Sequence, residues 1–249
     1  MFSASDILQG DLPDVRVGIG RGTDSGRVER SVHALAGSDI TIYLDAKALA
    51  SDLASGKIDA AVRGDMPSSE LLPVLKAKLG IEELERVAIL EPRHGKAIFV
   101  APVGIDEGWS VEQRHDIAVR CVKLMRRLGA GTRIAVMSGG RSEDTGRNPA
   151  VDATIKEALE LTDALVCEGH DAYHAQILIE DMVEEADLII APNGIIGNLI
   201  FRLMHFTGDA AALGAPAVNT DKVFVDTSRE KVDYSDSIIL AMRLAEGRR

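Results

Sequence analysis

Short β-rich runs alternate with segments of helical periodicity along almost the whole chain, and few folds accommodate that alternation. Runs rich in aliphatic and β-branched residues indicate buried strands. Strands that alternate with helices indicate a largely parallel sheet with helices on both faces. The sequence therefore predicts an α/β fold with mostly parallel sheets flanked by helices. The runs interpreted as strands are VRVGIG, IDAAVRG, RVAIL, AIFVAP, RIAVMS, ALVCEG, DLIIAP and KVFVDTS.

One pair of these runs departs from the alternation. RVAIL and AIFVAP are separated only by the segment EPRHGK. Parallel strands need a crossover of a dozen or more residues, whereas a short connection joins antiparallel strands. The pair is therefore predicted to form an antiparallel hairpin.

Two helices are indicated by the residues at their ends. Ser110 and Gln113 have the spacing of a capping box, and Gly129 is predicted to end the helix that follows them. Asn148 followed by Pro149 is typical of an N-cap and a first-turn proline. We therefore expect one helix from Ser110 to about Leu128 and a second that begins at Asn148.

The charge of the chain limits its partners. The chain has 249 residues and a formal net charge of −11. Its basic residues cluster only in the pairs Arg126-Arg127 and Arg248-Arg249. Binding of nucleic acid depends on a clustered basic face, so we expect no nucleic-acid partner. An anionic small molecule remains compatible, because a few arginines and helix N-termini create a local positive field.

The sequence also favours a cytoplasmic protein without a membrane partner. The apolar runs LIIAP and SIILAM are far shorter than the roughly 18 to 20 residues that cross a bilayer. The N-terminal segment MFSASDILQGDLPD lacks the basic and apolar regions of a signal peptide. Cys121 and Cys167 lie in a predicted helix and a predicted strand, which favours reduced, buried thiols over a disulfide.

Ligands of α/β proteins gather at the carboxyl ends of strands, and the last predicted strand leads into an unusually polar segment. VFVDTSREKVDYSD contains Ser228, Arg229, Asp233 and Asp236. An arginine can hold a phosphate in a bidentate way, and a serine hydroxyl can donate to an oxyanion or a sulfur. The alternative is a charged loop in which Arg229 pairs with a carboxylate. Asp233 or Ser235 is predicted to cap the final helix, with Asp236 in its first turn.

Two further loops carry groups suited to substrate binding. MSGGRSEDTGRNP provides Ser138, Gly139 and Arg141 ahead of a helix N-terminus, an arrangement that suits an anion; a mobile polar loop is the alternative. APNGIIGNLIFRL contributes a second set of candidate substrate-binding residues. Its glycines would let a ligand approach the backbone, and its asparagines would cap the helix or bind a substrate. The members of that set are Asn193, Gly194, Gly197 and Asn198.

Other motifs are less specific. In GIGRGTDSGR the backbone amides of the glycine-rich turn suit a phosphate, but the segment matches neither nucleotide-binding fingerprint, and a tight turn is the alternative. In CEGHDAYH, His170 and His174 lie four residues apart beside a helix predicted over residues 171–185. Two histidines are half of a zinc site and no third ligand is evident, so we expect no metal.

The combination of motifs resembles one family. RIAVMSGG, then ADLIIAPNGIIGNLIFRLMHFTGDAAALGAP, then VFVDTSRE before a helix are similar to the central and C-terminal parts of phosphate acetyltransferases and butyryltransferases. IDAAVRGDMPSSELLPVLKAKLG and TDSGRVERSVHAL resemble the first domain of that superfamily. The resemblance covers most of the chain and is strongest for the archaeal, methyltransferase-related MtxX group, the fourth methanogenesis marker proteins.

That resemblance implies two α/β domains similar to isocitrate and isopropylmalate dehydrogenases, with the active cleft between them, and a homodimer. The first domain would comprise residues 1–85 and 222–249, and the second residues 86–221. The implied reaction transfers an acyl group between coenzyme A, a co-substrate, and inorganic phosphate, without a tightly bound cofactor. The family pattern implies that Ser228 orients the thiol and that Arg229 holds the phosphate. Asp236 matches the catalytic aspartate, with Asp233 as the alternative, and it would act either as a base or as a group that orients Arg229.

Some residues depart from the family pattern, so other functions remain compatible with the sequence. Glu168 and His174 stand where the related enzymes tend to have aspartates. The alternative is therefore a non-catalytic or differently specific protein that binds a phosphorylated ligand and is linked to methyl transfer in methanogenesis. A metal- and NAD-dependent dehydrogenase would need a carboxylate cluster that is not evident. An S-adenosylmethionine methyltransferase would leave the Ser-Arg segment unexplained.

Overall fold

A computed structural model describes residues 2–22, 26–93 and 95–246. The strands are β1 (Val17–Gly20), β2 (Ile40–Tyr43), β3 (Ala60–Val62), β4 (Ala88–Glu91), β5 (Ile98–Ala101), β6 (Ile134–Met137), β7 (Ala172–Gln176), β8 (Leu188–Ile190), β9 (Ala211–Pro216) and β10 (Val223–Asp226). The helices are α1 (Ala4–Leu8), α2 (Arg27–Ala34), α3 (Ala46–Ser55), α4 (Ser68–Leu79), α5 (Val111–Leu128), α6 (Pro149–Cys167), α7 (Ile179–Glu185), α8 (Gly194–Phe206) and α9 (Ser235–Ala245), and a 3₁₀ turn spans Ser142–Asp144.

The chain divides into two compact units. The terminal unit consists of Ser5–Leu84 and Leu213–Arg249, and the central unit of Met1–Ala4 and Glu85–Ala212. The predicted domains, residues 1–85 with 222–249 and residues 86–221, stay a prediction.

The terminal unit contains a sheet with strand order β2-β1-β3-β10-β9. The first four strands are parallel, and the part of β9 that belongs to this unit runs antiparallel to β10. Helices α3 and α4 pack together over one face, where burial of their leucines and of Phe224 excludes water from a continuous core. The leucines of this core are Leu49, Leu53, Leu71, Leu75 and Leu84.

The central unit contains a sheet with strand order β4-β5-β8-β6-β7. Only the pair β4 and β5 is antiparallel, which confirms the predicted hairpin. Helix α5 begins with the predicted capping box of Ser110 and Gln113 and ends at Gly129 in the left-handed conformation. Helix α6 begins at the predicted N-cap Asn148. The α/β class with mostly parallel sheets flanked by helices is therefore confirmed.

Three predictions of local structure were wrong. ALVCEG is the end of helix α6, because Leu161 and Leu165 are buried at helical spacing while Val166 is half exposed. Both cysteines therefore lie in helices, and Cys167 is exposed. The helix predicted over residues 171–185 is strand β7 followed by the short helix α7, because residues 172–176 pair in parallel with β6. Strands β2 and β9 had not been predicted.

In the part of the chain that the structure covers, no helix is both long and apolar enough to cross a bilayer.

Candidate functional site

In the terminal unit, the parallel strands β1, β3 and β10 end at one edge of the sheet, where a buried ion pair connects two of them. Arg63 follows β3, and its Nε donates to Oδ1 of Asp226, the last residue of β10. A second donor of the same guanidinium reaches the carbonyl of Met66 at 3.0 Å. Thr227 donates from Oγ1 to the carbonyl of Gly64 at 2.7 Å. These contacts fix the start of the polar segment against the neighbouring strand end.

The glycine-rich loop after β1 packs directly on the loop after β3. A Cβ on Gly64, whose φ is +61°, would lie 2.0 Å from the carbonyl oxygen of Gly20. The amide of Gly22 donates to Oδ1 of the buried Asp65 at 2.6 Å. The residues of the expected phosphate cradle that the structure describes are thus engaged in contacts between loops. Residues 23–25 of that motif lie outside the described part of the chain.

The Ser228–Arg229 turn has a fixed backbone. The carbonyl of Ser228 accepts from the phenol of Tyr234 at 3.2 Å and from the amide of Lys231 at 3.2 Å. The guanidinium of Arg27 donates to the carbonyl of Arg229 at 3.0 Å. Tyr234 is fully buried, and desolvation, with a contribution from Asp65, raises its pKa to about 12. The Arg229 side chain is exposed, so a turn whose backbone is held by hydrogen bonds presents a guanidinium to solvent.

Asp233 holds the start of helix α9. Its Oδ1 accepts from the amide of Ser235 at 2.9 Å, from the hydroxyl of Ser235 at 2.7 Å and from the hydroxyl of Ser31 at 3.0 Å. Desolvation opposes the charged form, but these hydrogen bonds outweigh it, and the pKa of Asp233 is lowered. The N-cap of α9 is Tyr234, without a side-chain cap, so the prediction that Asp233 or Ser235 is the cap was wrong; Asp233 instead binds the first amide of the helix from the preceding position.

Asp236 lies in the first turn of α9, as predicted, and forms an ion pair that the sequence did not indicate. Its Oδ1 is 2.5 Å from Nζ of Lys231 and accepts from the amide of Ser237 at 2.7 Å. Burial lowers the pKa of Lys231, against the opposing effect of Asp236. Lys231 was missed because nothing in its sequence context distinguishes it from a solvated lysine.

In the central unit, Ser138 follows β6 and is completely buried. Its Oγ donates to the carbonyl of Gly140 at 2.9 Å and lies 2.9 Å from Nε2 of His174 on β7. Because the single hydroxyl proton goes to Gly140, the neutral imidazole is assigned as the Nε2–H tautomer. Burial lowers the pKa of His174, so the imidazole is held in its neutral form.

The loop after Ser138 is closed by its own polar groups. The amide of Gly139 donates to Oγ1 of Thr154 at 2.9 Å, and the amide of Arg141 donates to Oδ2 of Asp144 at 2.9 Å. The hydrogen bond from the Arg141 amide, and after it the one from the Arg147 side chain, lowers the pKa of Asp144. The backbone of the loop is therefore bound to α6 and to its own carboxylate, with Arg141 exposed.

The APNG segment after β8 positions helix α8 against the segment after β5. Asn193 is the N-cap of α8 and accepts from the amide of Ile196 at 3.1 Å, while Asn198 donates to the carbonyl of Val103 at 3.0 Å. A Cβ on Gly194 would lie 1.5 Å from the carbonyl oxygen of Gly104, and one on Gly197 would lie 1.9 Å from that of Pro102. These glycines permit a close approach of the backbone; a substrate-binding role for the segment stays a prediction.

Buried charged residues reinforce the same loops, and the sequence reasoning missed them. Glu107 accepts from the guanidinium of Arg86 at 2.6 Å and from the amide of Gly104 at 3.1 Å. Burial raises the pKa of Glu107 against the effect of Arg86. Arg114 donates to the carbonyl of Pro192 at 2.5 Å and to Glu157 at 2.7 Å. Charged residues in such loops are usually solvated, so the sequence carried no signal for their burial.

The predicted site residues thus form two groups. Ser228, Arg229 and Asp236 lie within one segment of the terminal unit, joined by Lys231 and Tyr234. The others follow the neighbouring parallel strands β6 and β8 of the central unit. Among the described residues, no cluster of histidine, cysteine and carboxylate side chains suits a metal ion.

Comparison with known proteins connects the chain to methanogens. No family model matches it. It is 42% identical over 199 residues, covering 80% of this chain and 71% of the relative, to the protein of Methanosarcina mazei named provisionally as methyltransferase mtx subunit X. The chain belongs to the MtxX family. An uncharacterized methyltransferase of Methanopyrus kandleri is 35% identical over 260 residues, covering 94% of this chain and all of the relative.

Solved structures with the same fold include phosphotransacylases and a dehydrogenase. A branched-chain phosphotransacylase from Enterococcus faecalis superposes with a TM-score of 0.74 at 17% identity, covering 93% of this chain and 99% of that one. A phosphotransacetylase from Streptococcus pyogenes gives 0.69 at 14% identity, with 97% and 95% covered. A 4-hydroxythreonine-4-phosphate dehydrogenase from Klebsiella pneumoniae gives 0.58 at 12% identity, with 98% and 93% covered. This MtxX protein therefore has the fold of the phosphotransacylases.

Proposed function

We propose that this MtxX protein is a phosphate acyltransferase-like enzyme that transfers an acyl group between coenzyme A and inorganic phosphate. The observation that carries the proposal is the Ser228–Arg229 turn, whose carbonyls are held by Tyr234, Lys231 and Arg27 while the Arg229 guanidinium is exposed. A preorganised donor set of this kind stabilises a phosphate or an oxyanion without reorganising during the reaction. The phosphotransacylase fold supports the same assignment.

The proposed reaction requires little more than positioned donors. A phosphate oxygen attacks the thioester carbonyl carbon, the tetrahedral oxyanion collapses, and the carbon–sulfur bond breaks to release the thiolate of coenzyme A. Arg229 would hold the phosphate. Ser228 accepts from the amide of Glu230 at 3.2 Å through Oγ, which leaves its O–H proton to donate to the oxyanion or the sulfur.

The remaining predictions belong to the proposal. Coenzyme A would be a co-substrate rather than a bound cofactor, and the protein would be a cytoplasmic homodimer. In the central unit, the exposed Arg141 beside Ser138 and Gly139 is the group best placed to contact an anionic part of the substrate. Substrate binding is also proposed for Asn193, Gly194, Gly197 and Asn198.

The test is thiol release from a panel of acyl-CoAs with and without phosphate. Arg229→Ala is expected to lower phosphate-dependent kcat/KM about 100-fold, the order of loss for a single donor to a developing charge. Arg93→Ala is the matched control, because Arg93 pairs with Asp209 on the surface, where such pairs contribute little. Absence of phosphate-dependent release from folded wild-type protein would contradict the proposal.

The names of the relatives favour a second candidate function. The Methanosarcina mazei relative is named as a methyltransferase subunit, and the Methanopyrus kandleri relative is named as an uncharacterized methyltransferase. The Ser228–Arg229 turn would then bind a phosphorylated ligand for a protein linked to methyl transfer in methanogenesis, without catalysing acyl transfer. Calorimetric binding of phosphate or acetyl phosphate that is lost in Arg229→Ala, together with silence across the acyl-CoA panel, supports this candidate. Turnover that depends on Arg229 excludes it.

A further inference from the structure

Lys231 connects the Ser228–Arg229 turn to the start of helix α9. Its Nζ lies 2.5 Å from Oδ1 of Asp236 and 3.0 Å from Oγ of Ser237. Ser237 donates its own proton to the carbonyl of Leu213 at 2.5 Å, so its oxygen acts as an acceptor for the ammonium. Only 9% of the Lys231 side chain is exposed, although the side chain is long and charged.

The backbone of the same residue holds the turn. The amide of Lys231 donates to the carbonyl of Ser228 at 3.2 Å. Lys231 is therefore anchored to α9 by its side chain and to the turn by its backbone. Displacement of the ammonium would remove the side-chain anchor of the residue whose amide holds the turn.

The charges around Lys231 come from two elements. Asp236 and Asp233, on its own segment, both favour the ammonium form. From α2, the guanidinium of Arg27 approaches the carbonyl of Lys231 at 3.5 Å. Burial lowers the pKa of Lys231, so this ammonium depends on its carboxylate partner more than a solvated lysine does.

This arrangement bears on the role of Asp236. Its Oδ1 contacts the Lys231 ammonium at 2.5 Å and accepts from the amide of Ser237 at 2.7 Å. This carboxylate oxygen is therefore already placed to anchor Lys231 at the start of α9.

We propose that Lys231 is a positioning residue that, through its ion pair with Asp236, holds the Ser228–Arg229 turn ready for its phosphate-bearing substrate. Asp236 is then the anchor of Lys231 rather than the acid–base group that exchanges a proton with the sulfur of coenzyme A. This inference rests on the proposed function, since it assigns the residue that preorganises the proposed anion site. It adds a residue that the family resemblance did not supply.

The variants Lys231→Met, Lys231→Arg and Asp236→Asn separate anchoring from base catalysis. Lys231→Met should lower kcat/KM for phosphate about 10- to 100-fold, mainly through a higher KM for phosphate, and Lys231→Arg should recover most of that loss. Asp236→Asn removes the charge that holds the Lys231 ammonium, so it should resemble Lys231→Met, with the loss mainly in the KM for phosphate. Loss of a general base would instead lower kcat about 100- to 10,000-fold.

Lys57→Met is the matched control. Lys57 Nζ lies 2.8 Å from Asp52, also five residues away along the chain, but the Lys57 side chain is 71% exposed. It should leave turnover unchanged. Tm values close to that of the wild type for all variants would show that the kinetic differences do not reflect unfolding.

A readout besides turnover is amide hydrogen exchange over residues 228–234. Exchange should be faster in Lys231→Met than in the wild type and in Lys57→Met, and restored in Lys231→Arg. Loss of turnover in Asp236→Asn with near wild-type activity in Lys231→Met overturns the inference. Absence of turnover and of phosphate binding in the wild type contradicts the proposed function instead. Exchange rates that do not change in Lys231→Met overturn the positioning role in either case.

Discussion

Ser138 and His174 form a hydrogen bond of 2.9 Å between Oγ and Nε2 at the carboxyl end of β6. Ser138 is completely buried, and its hydroxyl proton is directed to Gly140. A buried serine hydroxyl is a poor candidate for a nucleophile, because a substrate cannot reach it. The pair therefore acts as a fixed connection between β7 and the loop that carries Arg141.

The first prediction concerns this histidine and acid stability. Burial lowers the pKa of His174, so below the ordinary value of about 6.5 the unfolded chain binds a proton that the native chain does not. The free energy of unfolding should therefore decrease as pH falls through that value toward the folded pKa. His174→Gln should remove this part of the pH dependence in urea titrations between about pH 5 and 7.

His33→Gln serves as the control, because His33 is an exposed histidine of the terminal unit. If His174→Gln and His33→Gln changed the slope of stability against pH equally, the assigned role of burial at His174 would be wrong.

The second prediction concerns the buried pair of Arg63 and Asp226, which joins the ends of β3 and β10. Arg63→Met would leave the Asp226 carboxylate buried without its charged partner. Removing one member of such a pair destabilises a protein by about 3 to 5 kcal/mol, whereas replacing both by apolar residues is often neutral. Urea unfolding of Arg63→Met, Asp226→Leu and the double variant measures the coupling. Additive losses in the double variant would contradict it.

The third prediction concerns Asp233 at the start of α9. Its pKa is lowered, so its stabilising effect is present above the unfolded value of about 3.9 and is lost as pH falls through the folded pKa. Asp233→Ala should destabilise the protein by about 1 kcal/mol at pH 7, the order expected for loss of a side chain that binds a helix-terminal amide, and by less at pH 3. The exposed Asp14→Ala is the comparison. A loss that did not change between these pH values would show that the charge of Asp233 has no role.

Regular features of the fold were predictable because they depend on local chemistry. Ser110 with Gln113 and Asn148 with Pro149 satisfy the free amides of a helix end through their own side chains, so their spacing carries the structure. Strand β7 was not predictable in this way. AYHAQ has no clear alternation, and it forms a strand because β6 provides hydrogen-bond partners that are distant in the sequence.

The same distinction applies to the candidate site: the part that depends on local sequence was predictable, and the part that depends on distant contacts was not. The Ser228–Arg229 pair was recognised because it lies in one short segment. Its fixed backbone depends on Arg27, which contacts it across 202 residues of sequence, and on the burial of Lys231. A charged residue next to the motif looks the same in sequence whether it is solvated or buried, so only the structure assigns these supporting roles.

The fourth prediction concerns the close approach of helix α8 to the segment after β5. A Cβ on Gly194 would lie 1.5 Å from the carbonyl oxygen of Gly104, and one on Gly197 would lie 1.9 Å from that of Pro102, so α8 would have to move away from this segment. Gly194→Ala and Gly197→Ala should each destabilise the protein by about 3 kcal/mol or more, at the upper end of overpacking effects. Gly95→Ala is the control, because its Cβ would meet Pro92 at an ordinary 3.4 Å. Urea midpoints measure the effect, and a tolerated alanine at Gly194 would show that α8 does not require this close contact.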